Sequence, residues 1–392
     1  MPVRACGYTK RMFRFVPLLL PVYLTLRLVL PLPLSIAAKT VMSLLLFAAA
    51  LKQQFFLYFG GDFFSPELPV WVIAAYGGAF CALFLMFLFT LCKDLFLLAA
   101  AVLRYFCKAV PAFHTGPVTV AVIVALSFFC ALYGLYEAQR LPRTADVGIA
   151  LEKLPPEFDG FKIVLLSDLH ISASRRADFA RGVTDAANAA SADLILIAGD
   201  FIDGRVDIRS GDVLPLAALS ARCGVFGVLG NHEYYFGPDE WKSFIENRLG
   251  IKILLNEHTV IRHEGADLVI AGVADEAARR FPGRELPDLK KALSGISPEA
   301  CVILLDHQPG KAVRNAARGV SLQLSGHTHG GMAPLLSSLV KKFNGGFLRG
   351  LYDAGDMKLY VSPGTGIWNG FLMRLFDPAE ITVITLTAAK SK

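Results

Sequence analysis

Five short polar motifs in the C-terminal half of the chain contain side chains that bind transition metals. The motifs are Asp168-Leu169-His170, Gly199-Asp200-Phe201-Ile202-Asp203, Gly230-Asn231-His232-Glu233, His307-Gln308-Pro309 and Gly326-His327-Thr328-His329-Gly330. Carboxylate, imidazole and amide groups together suit a pair of divalent transition-metal ions in a site that stays open to water and substrate. The motifs therefore predict a dinuclear metal centre.

The spacing within the motifs predicts how two ions would share these ligands. Ions about 3.5–4 Å apart are usually bridged by one carboxylate, and Asp200, which ends an apolar run, is the natural bridge. Asp168 and His170 lie two residues apart, so on an extended strand end both side chains would point the same way and bind one ion. His327 and His329 repeat this spacing.

Asn231 and His307 are the expected neutral ligands of the second ion. An amide oxygen and an imidazole can hold a cation without crowding carboxylates together. Extra carboxylates would repel a negatively charged substrate, so this ligand set favours an anionic substrate.

Each motif follows an apolar run that predicts a buried strand. The runs are 161–166, 194–198, 225–229, 301–305 and 322–324. Because α/β proteins place their sites on loops at the carboxyl ends of strands, we expect the ligands to meet at one edge of a sheet.

Taken singly, most of these motifs have a plainer explanation. An Asp-X-His pair is often a surface coincidence, Gly-Asp after a strand is usually a turn, and a lone histidine such as His307 is often part of the core. Paired histidines between glycines, as in 326–330, are rarer without a metal. The joint occurrence of all five motifs at predicted strand ends favours the metal site over these alternatives.

The order of the motifs resembles the calcineurin-like metallophosphoesterase superfamily, from about residue 146 to the C-terminus. Ser167-Asp168-Leu169-His170, His307-Gln308-Pro309 and the stretch 325–331 resemble its membrane-attached bacterial branch, which carries several N-terminal membrane helices. The resemblance implies an α/β fold of four layers, with two β-sheets sandwiched between helices. It also implies a metal-dependent phosphoesterase that uses two divalent ions, for which Mn, Fe and Zn all suit the ligand types.

The resemblance further implies a role for each ligand. The first ion would be held by Asp168, His170, Asp200 and His329, and the second by Asp200, Asn231, His307 and His327.

His232 would not bind a metal in this scheme. The resemblance makes it the group that protonates or steadies the leaving oxygen, with Asp203 as its carboxylate partner and Glu233 as further support. The ions would activate water and neutralise the charge that develops on the phosphoryl oxygens.

A few positions near the motifs bear on substrate contacts. Met332 stands where the branch often has Gln, and Ser362-Pro363-Gly364 stands where an Arg often precedes the Gly. Tyr234, Tyr235, Trp368 and the stretch 343–351 would either line the substrate or pack in the core.

The N-terminal part of the chain is predicted to lie in a membrane. The 392 residues are 54% hydrophobic and 18% charged, which is too apolar for an ordinary soluble enzyme. The uncharged segments 69–91 and 115–136 are long enough to cross about 30 Å of hydrocarbon. Two more spans are predicted at 15–38, which contains Arg27 and four prolines, and at 41–59, which contains Lys52; a single kinked span with an interfacial helix is the alternative for these two.

These observations divide the chain into three parts. Residues 1–138 form a transmembrane region of about four helices, 139–160 a linker and first strand (147–151), and 161–392 the metallophosphoesterase domain. A cleavable signal peptide is an alternative for the N-terminus, because cations precede an apolar stretch there, but no small-residue cleavage site follows. Met12 is a possible second start, which would make 1–11 either a non-native start or a short tail.

The predicted location is the cell (inner) membrane, with the chain crossing it several times. Basic residues at the N-terminus, at 93–108 and at 140–143 fall on both sides of a four-span arrangement, which leaves the side of the catalytic domain open. Seven scattered cysteines do not suggest a disulfide framework.

The predicted partners are the lipid bilayer and a phosphorylated, lipid-linked substrate, of which UDP-2,3-diacylglucosamine is the first specific candidate. The net charge of +6 suits anionic lipid headgroups and does not require nucleic acid. A catalytically silent membrane-anchored scaffold is the alternative, and the completeness of the motifs disfavours it. The sequence does not determine the oligomeric state.

Overall fold

A computed structural model describes residues 16–109, 111 and 115–389 of the chain, which form two units. The first unit comprises the chain up to Tyr136 together with Asn369–Met373, and the second comprises Glu137–Trp368 and the chain from Arg374 onward. The predictions about the signal peptide, the N-terminal cations and residues 1–11 lie outside the described residues.

The first unit is helical. Its helices are α1 (Leu19–Leu24), α2 (Ile36–Ala50), α3 (Lys52–Phe59), α4 (Val70–Phe106) and α5 (Pro117–Gln139), with a 3-10 turn at Val16–Leu18 and a π-helical turn at Thr25–Val29. The chain between Val29 and Ile36 is not helical where prolines occupy positions 31 and 33, because proline cannot donate the backbone hydrogen bond of a helix.

Two helices of the first unit are long and apolar enough to cross a membrane. These are α4 and α5, and they cover the predicted segments 69–91 and 115–136 apart from the first one and the first two residues respectively. Helices α2 and α3 meet that test only as a pair, which is bent by 59°. The spans predicted at 15–38 and 41–59 stay predictions.

A short segment from near the C-terminus belongs to this helical unit. The ring of Phe371 packs edge-on against Phe84, with ring centroids 5.4 Å apart. The buried ammonium of Lys52 donates hydrogen bonds to the carbonyl oxygens of Asn369 and Gly370, at 3.2 and 2.7 Å. The sequence indicated only that Lys52 interrupts a span. The structure shows that two backbone carbonyl groups of the same unit stabilise its buried charge.

The second unit contains twelve strands. They are β1 (Arg143–Leu151), β2 (Lys162–Leu166), β3 (Leu194–Ile197), β4 (Val225–Gly227), β5 (Lys252–Ile253), β6 (Glu257–His263), β7 (Ala266–Gly272), β8 (Val302–Leu305), β9 (Leu322–Ser325), β10 (Gly350–Ala354), β11 (Met357–Val361) and β12 (Glu380–Ala388). One six-stranded sheet has the order β1-β12-β2-β3-β4-β5 and the other β10-β11-β9-β8-β7-β6. Both sheets are mixed, since β2–β5 run parallel while β12 is antiparallel to β2, and β6 and β10 are antiparallel edges.

Helices and short helical turns connect the strands. The α-helices are α6 (Ala177–Ala189), α7 (Val206–Val213), α8 (Asn231–Phe236), α9 (Pro238–Phe244), α10 (Leu289–Ala292), α11 (Ala312–Ala316) and α12 (Pro334–Phe343). The 3-10 turns are Pro156–Phe158, Leu214–Ala218, Glu276–Arg280, Pro309–Lys311 and His329–Gly331, and Ile245–Leu249 is π-helical.

The alternation of side chains along the strands builds three apolar layers. Ile163 and Leu165 of β2 pack between the two sheets with Ile303 and Leu305 of β8. Val164, of the opposite face of β2, packs beneath the helices on the outside of the first sheet. The strand β8 likewise contributes Val302 and Leu304 to the outer layer of the second sheet. The four-layer α/β fold is confirmed.

Two sequence-based expectations about this unit are wrong. The strand β1 begins at Arg143 rather than at the predicted residue 147, and α5 ends at Gln139, so only residues 140–142 link them. The ligand-bearing loops also follow strands of two sheets rather than one. An apolar run predicts a buried strand, but it contains no information about which sheet the strand joins.

Candidate metal centre

The five motifs lie at the carboxyl ends of strands in both sheets. Asp168, Asp200 and Asn231 follow β2, β3 and β4 of the first sheet. His307 follows β8 and His327 follows β9 of the second sheet. The candidate ligands of the metal centre therefore come from loops of both sheets.

The ligands do not extend from the strands as expected, because several have left-handed backbones. The φ angles are 53° at Asp168, 46° at His170, 55° at Asp200, 70° at His327 and 48° at His329. A non-glycine residue in this region costs about 1–3 kcal/mol and persists only where its surroundings enforce it. The extended-strand geometry predicted for the Asp-X-His and His-X-His pairs is therefore wrong.

The first group of candidate ligands consists of Asp168, His170 and His329, all buried. The Nε2 atoms of His170 and His329 are 3.2 Å apart. The Oδ1 atom of Asp168 lies 3.6 Å from the Nε2 of His329 and 3.9 Å from that of His170. One ion could contact all three atoms.

The second group consists of Asp200, His307 and His327, and Asn231 joins it. The Nε2 atom of His307 is 3.2 Å from both the Oδ2 of Asp200 and the Oδ1 of Asn231. The ring centroids of His307 and His327 are 5.2 Å apart. His327 and His329 thus fall in different groups, as the resemblance implied, although their spacing alone had suggested a pair.

Asp200 reaches both groups through one oxygen. Its Oδ2 atom lies 3.6 Å from the Nε2 of His170 and 3.2 Å from the Nε2 of His307. Burial raises the pKa of Asp200, but the histidines around it outweigh this and hold the pKa well below its usual range. An ionised carboxylate between the groups is the arrangement that a bridging ligand requires.

The donor atoms fit a pair of metal ions. An ion with bonds of about 2.1 Å to two imidazole nitrogens holds those nitrogens roughly 3–3.5 Å apart, as the Nε2 atoms of His170 and His329 are. Burial lowers the pKa of His327 to about 3 and that of His329 well below its usual range. Both rings are therefore neutral, which metal ligation requires. The pKa of His307 behaves differently. Burial lowers this pKa, but the carboxylate of Asp200 outweighs burial and raises it well above its usual range, so the ring would lose a proton on binding an ion.

His232 stands beside the two groups and is paired with Asp203. Its Nδ1 atom is hydrogen-bonded to Asp203 Oδ1, and its Nε2 lies 4.0 Å from Asp200 Oδ2. Burial lowers the pKa of His232, but Asp203 and Asp200 outweigh it and raise the pKa to about 9. The ring is thus protonated at neutral pH and able to donate. His170, Asp200 and His232 also form a third candidate metal group, which shares two residues with the others.

Glu233 supports the centre through the backbone. Its carboxylate accepts hydrogen bonds from the amides of Asp200, Gly230 and Ile202, at 3.1, 2.7 and 3.3 Å. Burial raises the pKa of Glu233 to about 8, while the amide of Gly230 opposes the rise. Glu233 therefore fixes the loop that carries Asp200 through these backbone hydrogen bonds.

The glycines of the motifs permit the close approach of these loops. A Cβ atom on Gly199 would lie 2.7 Å from the amide nitrogen of Gly230 and 2.8 Å from Nδ1 of His307. On Gly326 it would lie 2.2 Å from Oδ2 of Asp168. Only residues without a Cβ fit at these positions.

Sequence reasoning missed Arg374, which is fully buried beneath the first group. Its guanidinium donates to the carbonyl oxygens of Pro363, Gly364 and Gly366, at 2.9, 3.2 and 2.5 Å, and to that of Asp377 at 3.2 Å. The available signal was an arginine within the apolar stretch 371–376, because a charge in such a run is buried only with partners.

The loop held by Arg374 in turn holds the backbone of the first ligand. Thr365 donates its amide to the carbonyl oxygen of Ser167 at 2.7 Å, and Gly366 donates to that of Asp168 at 2.8 Å. A guanidinium thus lies next to Gly364, although the residue before that glycine is a proline rather than the expected arginine.

The aromatic residues that were predicted either to line the substrate or to pack in the core do not all have the same role. Tyr234 is buried and packs towards Phe281 in the core. Tyr235 and Trp368 lie near His232, with ring centroids 5.3 and 6.3 Å from it. These two aromatics remain candidates for contacting a substrate.

Two adjacent groups of histidine and carboxylate side chains, with Asp200 lying between them, could hold the metal ions of a metallohydrolase. A sequence profile described as Calcineurin-like phosphoesterase matches residues 161–331. A zebrafish (Danio rerio) "transmembrane protein with metallophosphoesterase domain" is 36% identical over 267 residues, which are 66% of this chain and 60% of that protein. A Helicobacter pylori J99 metallophosphoesterase is 36% identical over 67% of this chain and 70% of its own length. A putative metallophosphoesterase of Caenorhabditis elegans is 34% identical over 89% of this chain and 74% of its own length.

The chain belongs to the calcineurin-like phosphoesterase family. This family binds divalent metal ions, and the candidate groups described above are where this chain would hold them. The chain spans less than two thirds of the length of the zebrafish relative. Relatives named as transmembrane proteins and the two long apolar helices agree with a membrane location.

Proposed function

We propose that this protein is a membrane-anchored phosphohydrolase that cleaves a phosphodiester or pyrophosphate bond at a dinuclear metal centre. The main support is the position of Asp200, whose Oδ2 atom lies within 3.6 Å of a histidine of each candidate group. Two adjacent cations are the usual means of stabilising both the attacking and the leaving oxygen of a phosphoryl transfer.

The bound ions would supply Lewis-acid charge and activate water, and His232 would supply a proton. His232 donates from Nε2 to the leaving oxygen, since its Nδ1 is occupied by Asp203. Asp203 fixes the ring orientation and keeps the imidazole protonated. Glu233 and Arg374 position the loops of Asp200 and Asp168 and do not touch the substrate.

A lipid-linked substrate is the class we favour. Helices α4 and α5 would hold the domain at a bilayer, and only three residues separate α5 from β1. Such a tether raises the effective concentration of substrates that lie in the membrane. UDP-2,3-diacylglucosamine, whose pyrophosphate joins a nucleotide to a lipid, is the first specific candidate, and Mn, Fe or Zn the metal.

For the location we propose the cell (inner) membrane, crossed several times. The two long helices support two crossings, and the bent pair α2–α3 supports a third.

The catalytically silent scaffold predicted as the alternative has no observation in its favour, because every predicted ligand position carries a side chain that can bind a metal.

The test uses the full chain in lipid nanodiscs, stripped of metal and reloaded separately with Mn, Fe or Zn. Turnover is measured on a nitrophenyl phosphodiester, a nucleotide sugar and UDP-2,3-diacylglucosamine. We expect metal-dependent hydrolysis of the diester and faster hydrolysis of the lipid-linked pyrophosphate than of the soluble one. Two bound ions without turnover of any substrate would support the scaffold, and equal rates on both pyrophosphates would exclude the lipid preference.

A further inference from the structure

Helix α12 (Pro334–Phe343) has an exposed apolar face next to the metal centre. Leu339 and Phe343, four residues apart and so on the same face, are 52% and 78% exposed. On the inner side Ser337 packs closely on Gly331, where a Cβ atom would lie 2.5 Å from its Oγ. The helix is therefore attached to the loop of His329 by one side and presents the other to its surroundings.

A third large apolar side chain lies close to the start of this helix. Phe376 is 74% exposed and has a φ of 63°, an unfavourable angle for an aromatic residue. The preceding residue, Leu375, donates its amide to the carbonyl oxygen of Met332 at 2.9 Å, two residues before the helix begins. Single exposed apolar residues are ordinary, but a helical pair with a neighbouring phenylalanine needs an explanation.

The chain segment that contains this face carries only positive charges, although Lys311 pairs with Glu276 and Arg349 with Asp377, the residue after Phe376. No Asp or Glu occurs between Asp306 and Asp353, a stretch that contains Lys311, Arg314, Arg318, Lys341, Lys342 and Arg349. Lys341 and Lys342 are exposed, and neither has an ion-pair partner within the part of the chain that the structure describes. Lys342 adjoins Phe343 and lies three residues after Leu339, so the cations flank the apolar pair.

We propose that α12, with Phe376, docks on the surface of a membrane that contains anionic lipids. Lysines beside a stripe of Leu and Phe are typical of helices that lie in the interface, where the apolar side chains enter the acyl boundary and the ammonium groups meet phosphates. A soluble acidic protein would match the lysines equally well. The long apolar helices of the same chain favour the bilayer as the partner, because they supply it permanently.

Docking would bring the metal centre to the lipid headgroups, since α12 begins only three residues after the turn His329–Gly331 ends. The inference deepens the proposed function in this respect. It can nevertheless fail separately, because contact with lipid is measured without turnover.

The experiment uses the full chain in vesicles with an environment-sensitive fluorescent amino acid incorporated in place of Phe343. The matched control carries the same residue in place of Ile208, which is 49% exposed on α7. Quenching is measured with lipids that carry a nitroxide near the headgroup, in phosphatidylcholine alone and with phosphatidylglycerol added. We expect quenching at 343 and not at 208, stronger with phosphatidylglycerol and reduced by Leu339→Glu.

Equal quenching at the two positions, or none at 343, would overturn the proposal. Fluorescence at 343 that changes with protein density in the vesicle and not with lipid composition would identify a second copy of the chain as the occupant instead. Leu339→Glu and its control Ile208→Glu should both retain turnover of a soluble nitrophenyl phosphodiester. Only Leu339→Glu should lower turnover of a substrate held in the vesicle, and loss of turnover on the soluble ester would indicate a damaged fold.

Discussion

Asp200 is the one candidate ligand that lies between both groups of the metal centre, so both groups depend on it. Its Oδ2 atom faces His170 on one side and His307 on the other, and its Oδ1 accepts the amide of His232. Each remaining ligand contributes mainly to one group. The consequences of removing single residues should therefore differ in a graded way.

Asp200→Ala should abolish turnover and reduce bound metal to one ion or none per chain, because both ions lose a ligand. Metal content is measured by elemental analysis of the purified full chain. Asp185→Ala, a change of the same type at an exposed position of α6, should bind two ions and retain activity. Two ions with near-normal turnover in the Asp200 variant would overturn the assignment of the bridge.

His232→Ala should retain both ions and lower turnover of an alkyl phosphodiester by about 10²–10⁴, the usual effect of losing a general acid. The loss should be smaller for a nitrophenyl ester, because nitrophenolate leaves without a proton. For the unmodified protein, turnover of the alkyl ester should fall as the pH rises through the pKa of His232, since only the protonated ring donates. Equal losses on both esters, or loss of an ion, would make His232 a supporting residue or a ligand.

At the scale of elements, the centre depends on loops that are fixed by buried charges. Arg374 donates to carbonyl oxygens of Pro363, Gly364 and Gly366, and this loop is hydrogen-bonded to the backbone of Ser167 and Asp168. Burial lowers the pKa of Arg374 to about 10, so the guanidinium remains charged at neutral pH. One side chain thus connects the loop after β11 to the loop after β2.

Arg374→Gln should lower the free energy of unfolding by about 3 kcal/mol or more, because several buried carbonyl groups lose a charged donor. It should also weaken metal binding, since the Asp168 backbone loses its brace. Both are measured on the full chain, by denaturant titration and by competition with a chelator. Arg318→Gln, at an exposed position, should change neither quantity, and Arg374→Lys should restore metal affinity in part. Unchanged affinity in a destabilised Arg374→Gln protein would limit the residue to a role in stability.

At the scale of the whole molecule, the boundary between the two units does not coincide with a single point in the chain. The second unit has its own apolar layers, but the five residues Asn369–Met373 belong to the helical unit. Phe371 and Leu372 are buried there, against Phe84 and Gly77 respectively. A cut at residue 138 therefore separates this segment from its partners.

A fragment lacking residues 1–138 should fold and bind metal, since its sheets are packed independently. We expect it to need detergent to stay monomeric, because Phe371 and Leu372 become exposed. Replacing both by Ser should remove that need, whereas Ile208→Ser with Leu214→Ser, at exposed positions of the same fragment, should not. Size-exclusion chromatography with and without detergent distinguishes the variants. A fragment that is monomeric in buffer without any replacement would contradict the expectation.

The amino-acid sequence by itself determined the kinds of ligand, their order and the presence of long apolar helices. Metal chemistry selects side-chain types, and five motifs such as Asp168-Leu169-His170 are local features that do not depend on the rest of the fold. The buried strands could also be predicted from local sequence, because a short run of apolar residues indicates a segment that is buried. Their boundaries were correct to within two residues at the five strands that precede ligands.

The tertiary structure decided which residues act together. His307 is held by the carbonyl oxygen of Ala198, 109 residues earlier, and Arg374 by a loop beside Asp168. The separation of His327 from His329, which their spacing did not predict, the two sheets behind one centre and the placement of Asn369–Met373 in the helical unit all depend on strand order and packing. Contacts between distant residues are set by the free energy of the whole packed chain, and no local pattern of residues records them.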